Sequence, residues 1–205
     1  MNDKLKPYTE FETKYRTEIT VLGHFKRIVE ALPDHSFIYV QGPDNYYTKP
    51  GSPFKRLRVG QYPMPNGEIF MQLTSKLKPD GARTNVQRRE PNWTLTGNDL
   101  EEIKDGLDLD GYKFSFAIWK GCHIYEFKDA TLVFYTVIEE GQTSEAHFIE
   151  IEVDEKTIHN LTEADAWNVI SKYEKILAPV GISPQKRLLK SLFDMYHKKE
   201  LPNLT

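Results

Sequence analysis

Glu10, Glu12 and Lys14 stand two residues apart near the start of the chain, within Glu10-Phe11-Glu12-Thr13-Lys14-Tyr15-Arg16. Far downstream, Phe148-Ile149-Glu150-Ile151-Glu152-Val153 repeats the spacing with Glu150 and Glu152. On a strand, residues two apart share a face, so each segment gathers carboxylates on one side. Carboxylates held together repel unless cations neutralise them. The pattern therefore points to a metal site, a cationic ligand site or a wet channel.

Basic residues follow the same alternation in the middle of the chain. Arg56 and Arg58 share a face of Phe54–Gly60. In the next strand Phe70, Gln72, Thr74, Lys76 and Lys78 oppose Ile69, Met71, Leu73, Ser75 and Leu77, and further on Arg88 shares a face with Glu90. Arg16 extends the face of Glu10, Glu12 and Lys14. If the sheet closes, its apolar side can pack against helices while its charged side lines a channel. Such a channel would hold acids from the two end strands and bases from the middle ones. That mixture suits a polyphosphate with divalent cations, with carboxylates on the metal and Arg or Lys on phosphoryl oxygens.

The elements that must position these groups are mostly strands. The periodicity predicts a helix over 21–32, with Leu22, Phe25, Ile28, Val29 and Leu32 on one face and Pro33 as its stop. Strands are expected over 36–48, 54–60, 69–77, 83–95, 112–127 and 130–138, with a turn at 63–67 and a helix beginning at Asn98. Thr162 caps a helix through about Leu177. Ser183-Pro184 opens another through about Lys198, with Leu188, Leu189, Leu192, Phe193 and Tyr196 as its apolar set. The fold class is α+β: a closed or nearly closed antiparallel β-barrel with a charged interior and helices outside. One domain spans 1–205, its barrel core at about 8–153 and its C-terminal helices at about 162–199.

The chain has 205 residues, 39% hydrophobic and 28% charged, and a net charge of -3. The many aromatics, without a basic excess, read as core rather than as a nucleic-acid surface. A single Cys122 excludes an intrachain disulfide framework and a cysteine-based zinc cluster, and reads as a buried thiol. The first residues lack the apolar run of a signal peptide and no segment is apolar enough to span a bilayer. The expectation is an intracellular, cytoplasmic protein with no membrane partner, monomeric or homodimeric.

In this order the segments resemble the CYTH superfamily, the triphosphate tunnel metalloenzymes. Glu10, Glu12 and Lys14 match its E-x-E-x-K mark, and Asp44-Asn45-Tyr46-Tyr47 and Phe54-Lys55-Arg56-Leu57-Arg58 look like its next two segments. Gln72-Leu73-Thr74-Ser75-Lys76 resembles its strand ending in Lys, Arg88-Arg89-Glu90 its R-x-E element, and Glu150 with Glu152 its late E-x-E. The similarity covers roughly residues 8–153. It departs at the family's K-x-R strand: counting from Tyr125, His123 falls at the Arg position, Gly121 at the Lys position, and Lys120 one residue out of phase. The acid expected a dozen residues later gives way around Phe134-Tyr135-Thr136. Lys113 and His123 are the candidates for the missing contacts.

The resemblance implies a metal-dependent phosphohydrolase acting on a triphosphate group. Glu10, Glu12, Glu150 and Glu152 would bind Mg²⁺ or Mn²⁺. Glu10, Glu12, Lys14 and Glu90 would be catalytic, and Lys14, Arg16, Arg56, Arg58, Lys76, Lys78, Arg88 and His123 would hold substrate. Tripolyphosphate, thiamine triphosphate, a nucleoside triphosphate or an RNA 5′-triphosphate end are the implied partners, with a slight preference for the last two. The same segments would serve a class IV-like adenylyl cyclase, which makes cyclic AMP and pyrophosphate, or a polyphosphate binder without turnover.

Overall fold

The computed structural model describes residues 8–62, 67–75, 87–90, 92–95, 100–155, 158–188 and 190–197. Among the described residues nine strands form one antiparallel sheet: β1 (Tyr8–Thr17), β2 (Ser36–Thr48), β3 (Lys55–Gln61), β4 (Ile69–Ser75), β5 (Gln87–Glu90), β6 (Asn92–Leu95), β7 (Lys113–Glu126), β8 (Thr131–Glu139) and β9 (Glu145–Asp154). Their spatial order is β5-β1-β9-β8-β7-β2-β3-β4-β6. The two acidic strands, β1 and β9, are thus direct neighbours. The outermost strands, β5 and β6, are separated in sequence by residue 91 alone. Positions two residues apart lie within about 7 Å of each other, so the sheet has to roll until its edges meet. No ladder hydrogen bonds join β5 to β6 among the described residues. Chain continuity closes the barrel.

Helices cover the outer face. α1 (Leu22–Glu30) buries Phe25 and Val29, and α3 (Glu163–Leu177) buries Ala166, Ile170, Tyr173 and Leu177 at helical spacing. Both pack on the residues of β1, β8 and β9 that alternate with the charged ones: Phe11, Tyr15, Leu132, Phe134, Ile149, Ile151 and Val153. Each fully buried side chain of this kind contributes about 1.5–3 kcal/mol. α3 starts at a reciprocal cap, with Asp165 N–H donating to Thr162 Oγ1 (3.2 Å) and Thr162 N–H to Asp165 Oδ2 (3.4 Å). α2 (Leu100–Leu109) covers the outer face of β3 through Leu107, Leu57, Tyr47 and Tyr112.

The inner face divides in two. On β7, β8 and part of β9 it is apolar, with Ile118, Cys122, Val133, Tyr135, Val137, Ala146 and Phe148 clustered against Leu192, Met195 and Tyr196 of α4 (Leu192–His197). The charged part of the interior lies on β1, the neighbouring residues of β9, and β3, with Lys120 joining it from β7. β2 comes close to β3 at Gly42, whose φ is +149° and where a Cβ would lie 2.0 Å from the Val59 carbonyl oxygen. Only glycine fits that approach, which sets Asp44 across from Arg58.

The long helix expected from Ser183 does not form. Pro184–Lys186 make one 3₁₀ turn, Leu188 N–H donates to the Lys14 carbonyl (2.8 Å), and a helix resumes only at Leu192. Two bonds of 2.6 Å from Arg187 to Glu174, with Trp167 beside the guanidinium at 4.7 Å, hold the segment extended. Residues 184–188 and 190–197 are therefore a strap that meets β1 at Lys14 and ends in α4. The expected turn at 63–66, strand residues 83–86, the helix start at Asn98, Lys76, Lys78 and the Lys198-Lys199 end lie outside the described residues. Among the described residues no helix is long and apolar enough to cross a membrane.

Candidate active site

The antiparallel register of β1 and β9 places Glu10 opposite Asp154, Glu12 opposite Glu152, and Lys14 opposite Glu150. Glu10, Glu12, Lys14, Glu150 and Asp154 are all buried. Like charges directly across a ladder oppose each other, so this face needs cations. Lys14 supplies one. Its Nζ hydrogen-bonds Glu12 Oε1 and lies 3.7 Å from Glu150 Oε2. Burial pushes the Glu150 carboxyl up, Lys14 pulls it down, and Glu12 pushes it up again. Arg16 continues the row, partly exposed, opposite Phe148.

Cations from β3 and β7 face this wall. Arg56 donates to Thr74 Oγ1 (3.1 Å). Arg58 is committed to a fully buried Asp44 through bonds of 2.7 and 2.9 Å. Burial would raise the Asp44 carboxyl, but Arg58, Arg56 and Lys120 hold it far below the usual carboxylate range. Lys120 is buried, and burial lowers its ammonium. Its Nζ lies 4.1 Å from the centre of the Tyr135 ring. Tyr135 is fully buried and stacks on Phe148 at 5.3 Å. Burial, then the Glu150 and Glu12 charges and the Glu150 carboxylate beside it as an acceptor, hold its hydroxyl well above the usual tyrosine range.

One cavity collects these groups. Glu12, Lys14, Arg56, Lys120 and Glu150 line it, together with Tyr46 and Phe54. Ser191, Leu192 and Phe193 of the strap complete it, and Phe193 stacks on Phe54 at 4.1 Å. Its volume of about 30 Å³ takes a water or two, not a triphosphate chain. Among the described residues no three acidic, histidine or cysteine side chains meet at ligating distance. The oxygen-only donor set is nevertheless the kind that hard divalent cations prefer.

The structure brings together Glu12, Lys14, Arg56 and Glu150 of the expected residues. Glu10 and Glu152 lie on the same face, and Arg58 is occupied by Asp44. Backbone register sets residue 88 opposite Glu10 and residue 90 opposite Tyr8; the side chains of Arg88 and Glu90 are not described. His123 is not part of the group, and its expected ligand contact is corrected. Tyr125 belongs to the outer core, so alternation puts His123 outside and Lys120 and Cys122 inside. His123 packs against Tyr39 (4.7 Å) and Phe37 (6.1 Å), and burial with nearby Lys26 pushes its imidazole down to about 4. Counting back from Tyr125 follows the outer face, which is why it reaches His123 and Gly121 and passes Lys120 by one residue. The lysine that seemed out of phase, Lys120, is the one in the cavity. Asp154 was missed although it extends the Glu150, Glu152 alternation by one step.

His123→Phe is expected to leave ligand binding in the barrel unchanged. A histidine with a lowered folded value contributes stability that is fully present above its unfolded value, about 6.5, and lost as pH falls towards 4. The variant's melting temperature should therefore fall less than that of the wild type between pH 6.5 and 4. A drop as steep as the wild type's would place the acid sensitivity elsewhere.

No protein-family model matches the chain, and no curated protein sequence matches it. Solved structures do share its fold. The PH1819 protein of Pyrococcus horikoshii superposes with a TM-score of 0.69 at 22% identity, covering 93% of this chain and 99% of that one. A candidate adenylate cyclase of Bacillus halodurans gives 0.58 at 16% identity over 94% and 99%. The candidate adenylyl cyclase HpAC1 of Hippeastrum, described as having a dominant triphosphatase activity, gives 0.59 at 16% identity over 96% and 98%. At these identities the likeness is one of fold.

Proposed function

We propose that this chain, whose fold agrees with the CYTH superfamily it resembles in sequence, binds the triphosphate group of a small molecule or RNA end and hydrolyses it with a divalent metal. One observation carries the reading: two buried carboxylates and three buried or half-buried cations, drawn from four strands, line a single cavity on the barrel's inner face. Lys14, Arg56 and Lys120 would hold phosphoryl oxygens and offset charge that grows on them in the transition state. Glu12, Glu150 and Glu152, flanked by Glu10 and Asp154, would hold Mg²⁺ or Mn²⁺. Bound there, the ion would polarise a phosphoryl oxygen as a Lewis acid. Glu12 or Glu150 would orient a water and take its proton as the water oxygen bonds to the terminal phosphorus. The bridging P–O bond then breaks, and the remaining phosphate chain leaves with the electron pair. Arg58 acts on the site only by holding Asp44.

The test is product identification. Purified protein with Mn²⁺ or Mg²⁺ is incubated separately with tripolyphosphate, ATP, thiamine triphosphate and triphosphate-ended RNA, beside a Glu150→Ala/Glu152→Ala control. Orthophosphate from wild type and not from the control is the expected result. Cyclic AMP with pyrophosphate would replace hydrolysis by cyclisation, in line with the cyclase-like neighbours. No turnover of any of the four would sink the hydrolase.

A further inference from the structure

Glu150 has a donor on each side of its strand. On one side lies β1, where the Lys14 ammonium stands 3.7 Å from Glu150 Oε2. On the other lies β8, where Val133 is directly across and Tyr135 is the diagonal neighbour on the same inner face. Diagonal positions across a ladder are roughly 7–8 Å apart, within reach of an aromatic side chain. The Tyr135 ring is fully buried and stacked on Phe148 at 5.3 Å, with the Lys120 ammonium 4.1 Å from its centre. These contacts fix the ring, and the Glu150 carboxylate is the acceptor beside its hydroxyl. The hydroxyl stands outside strict hydrogen-bond geometry among the described residues, so rotation of the carboxylate is what closes the bond. A buried phenol carries a desolvation cost that a phenylalanine ring in the same stack would not. Glu150 is the group that offsets it.

We propose that Tyr135 is a positioning residue for a divalent cation, its hydroxyl fixing the rotation of the Glu150 carboxylate that would ligate the ion. The inference rests on the metal-dependent reading above and adds to it a residue that touches neither metal nor substrate. A ligating carboxylate that is free to turn loses affinity when binding fixes it, and a hydrogen-bond partner behind it reduces that loss. Lys14 cannot take this part alone, because its charge opposes an incoming cation. A phenol directs the carboxylate without adding positive charge, and burial with the Glu150 and Glu12 charges keeps its proton in place. The Tyr135 ring is thus structural, and its hydroxyl serves the metal site through Glu150.

The test uses Mn²⁺ alone, followed by the loss of the free ion's electron paramagnetic resonance signal as protein is added. Tyr135→Phe keeps the ring and its stacking on Phe148, so its melting temperature without metal should match the wild type's. Its Mn²⁺ affinity should fall roughly tenfold to a hundredfold, the range for removing a partner of a metal ligand. Glu150→Gln should weaken binding as well. Adding Tyr135→Phe to it should cost nothing further, because the hydroxyl acts only through that carboxylate. In turnover, Tyr135→Phe should raise the Mn²⁺ concentration needed for half the maximal rate and leave the maximum in place. Wild-type Mn²⁺ affinity in Tyr135→Phe would overturn the role, and so would an undiminished loss in the Glu150→Gln background. If the wild type binds Mn²⁺ and turns a triphosphate over while only these expectations fail, the hydrolase reading stands without Tyr135. A wild type that binds no Mn²⁺ takes the metal site and this role down together.

Discussion

Replacing Asp44 by asparagine is expected to cost the protein about 3–5 kcal/mol of stability, the range for breaking one side of a buried ion pair. Asp44 is fully buried and takes both bonds of the Arg58 guanidinium. Arg56 and Lys120 add positive charge around it. The asparagine would still fill the space, but it would leave three cations without the buried carboxylate they surround. Urea denaturation should show the loss as a lower midpoint at an unchanged slope. A loss below 1 kcal/mol would mean that water, not Asp44, balances those cations. The pH dependence follows from the same pair. A carboxyl with a lowered folded value contributes stability that is present above its unfolded value, about 3.9, and lost only as pH falls through the folded one. The contribution therefore persists to pH 4 in the wild type, and the deficit of the variant should be as large at pH 5 as at pH 8.

Lys14→Met should give the opposite profile. Its ammonium separates the buried Glu12 and Glu150 carboxylates, and methionine keeps the chain's bulk without the charge. At pH 8 a loss of about 3–5 kcal/mol is expected, since two buried charges are left facing each other. Glu150 is already pushed up by burial and by Glu12, and the variant removes the group that opposes the shift. An acid with a raised folded value contributes stability that is fully present below its unfolded value, about 4.3, and lost as pH rises through the folded one. Lys14→Met should therefore approach the wild type near pH 4.5 and fall furthest behind at pH 8. Mn²⁺ should restore part of the deficit at pH 8 by binding the native state. Denaturant titrations at the two pH values decide the matter: an equal deficit at both would trace the loss to packing rather than charge.

The parts of the barrel that could be read from the chain are those where alternation separates charged from apolar residues. β1 and β9 do this cleanly, because Glu10, Glu12 and Lys14 alternate with Phe11 and Tyr15, and Glu150 and Glu152 with Ile149 and Ile151. β7 does not. Phe116, Ile118 and Ile124 face inward while Trp119 and Tyr125 face outward, so its two faces look alike and Lys120 reads as one residue out of phase. The pairing of Glu12 with Glu152 is also beyond local pattern, since sequence order says nothing about which strands become neighbours. The strap misled for another reason. Leu188, Leu192 and Phe193 fit helical spacing, yet the Leu188 amide is taken by Lys14 and Arg187 is taken by Glu174. Local propensity lost to tertiary partners more than a hundred residues away in the case of Lys14.

Lys14 is held at both of its ends by things that differ in kind. Its side chain balances the carboxylates, and its carbonyl oxygen accepts from the strap that floors the cavity with Leu192 and Phe193. The space above that floor, about 30 Å³, is too small for a triphosphate chain. If a triphosphate binds here as proposed, access and charge would be geared together, because displacing the strap to admit it would pull on the backbone of the residue that neutralises Glu12 and Glu150.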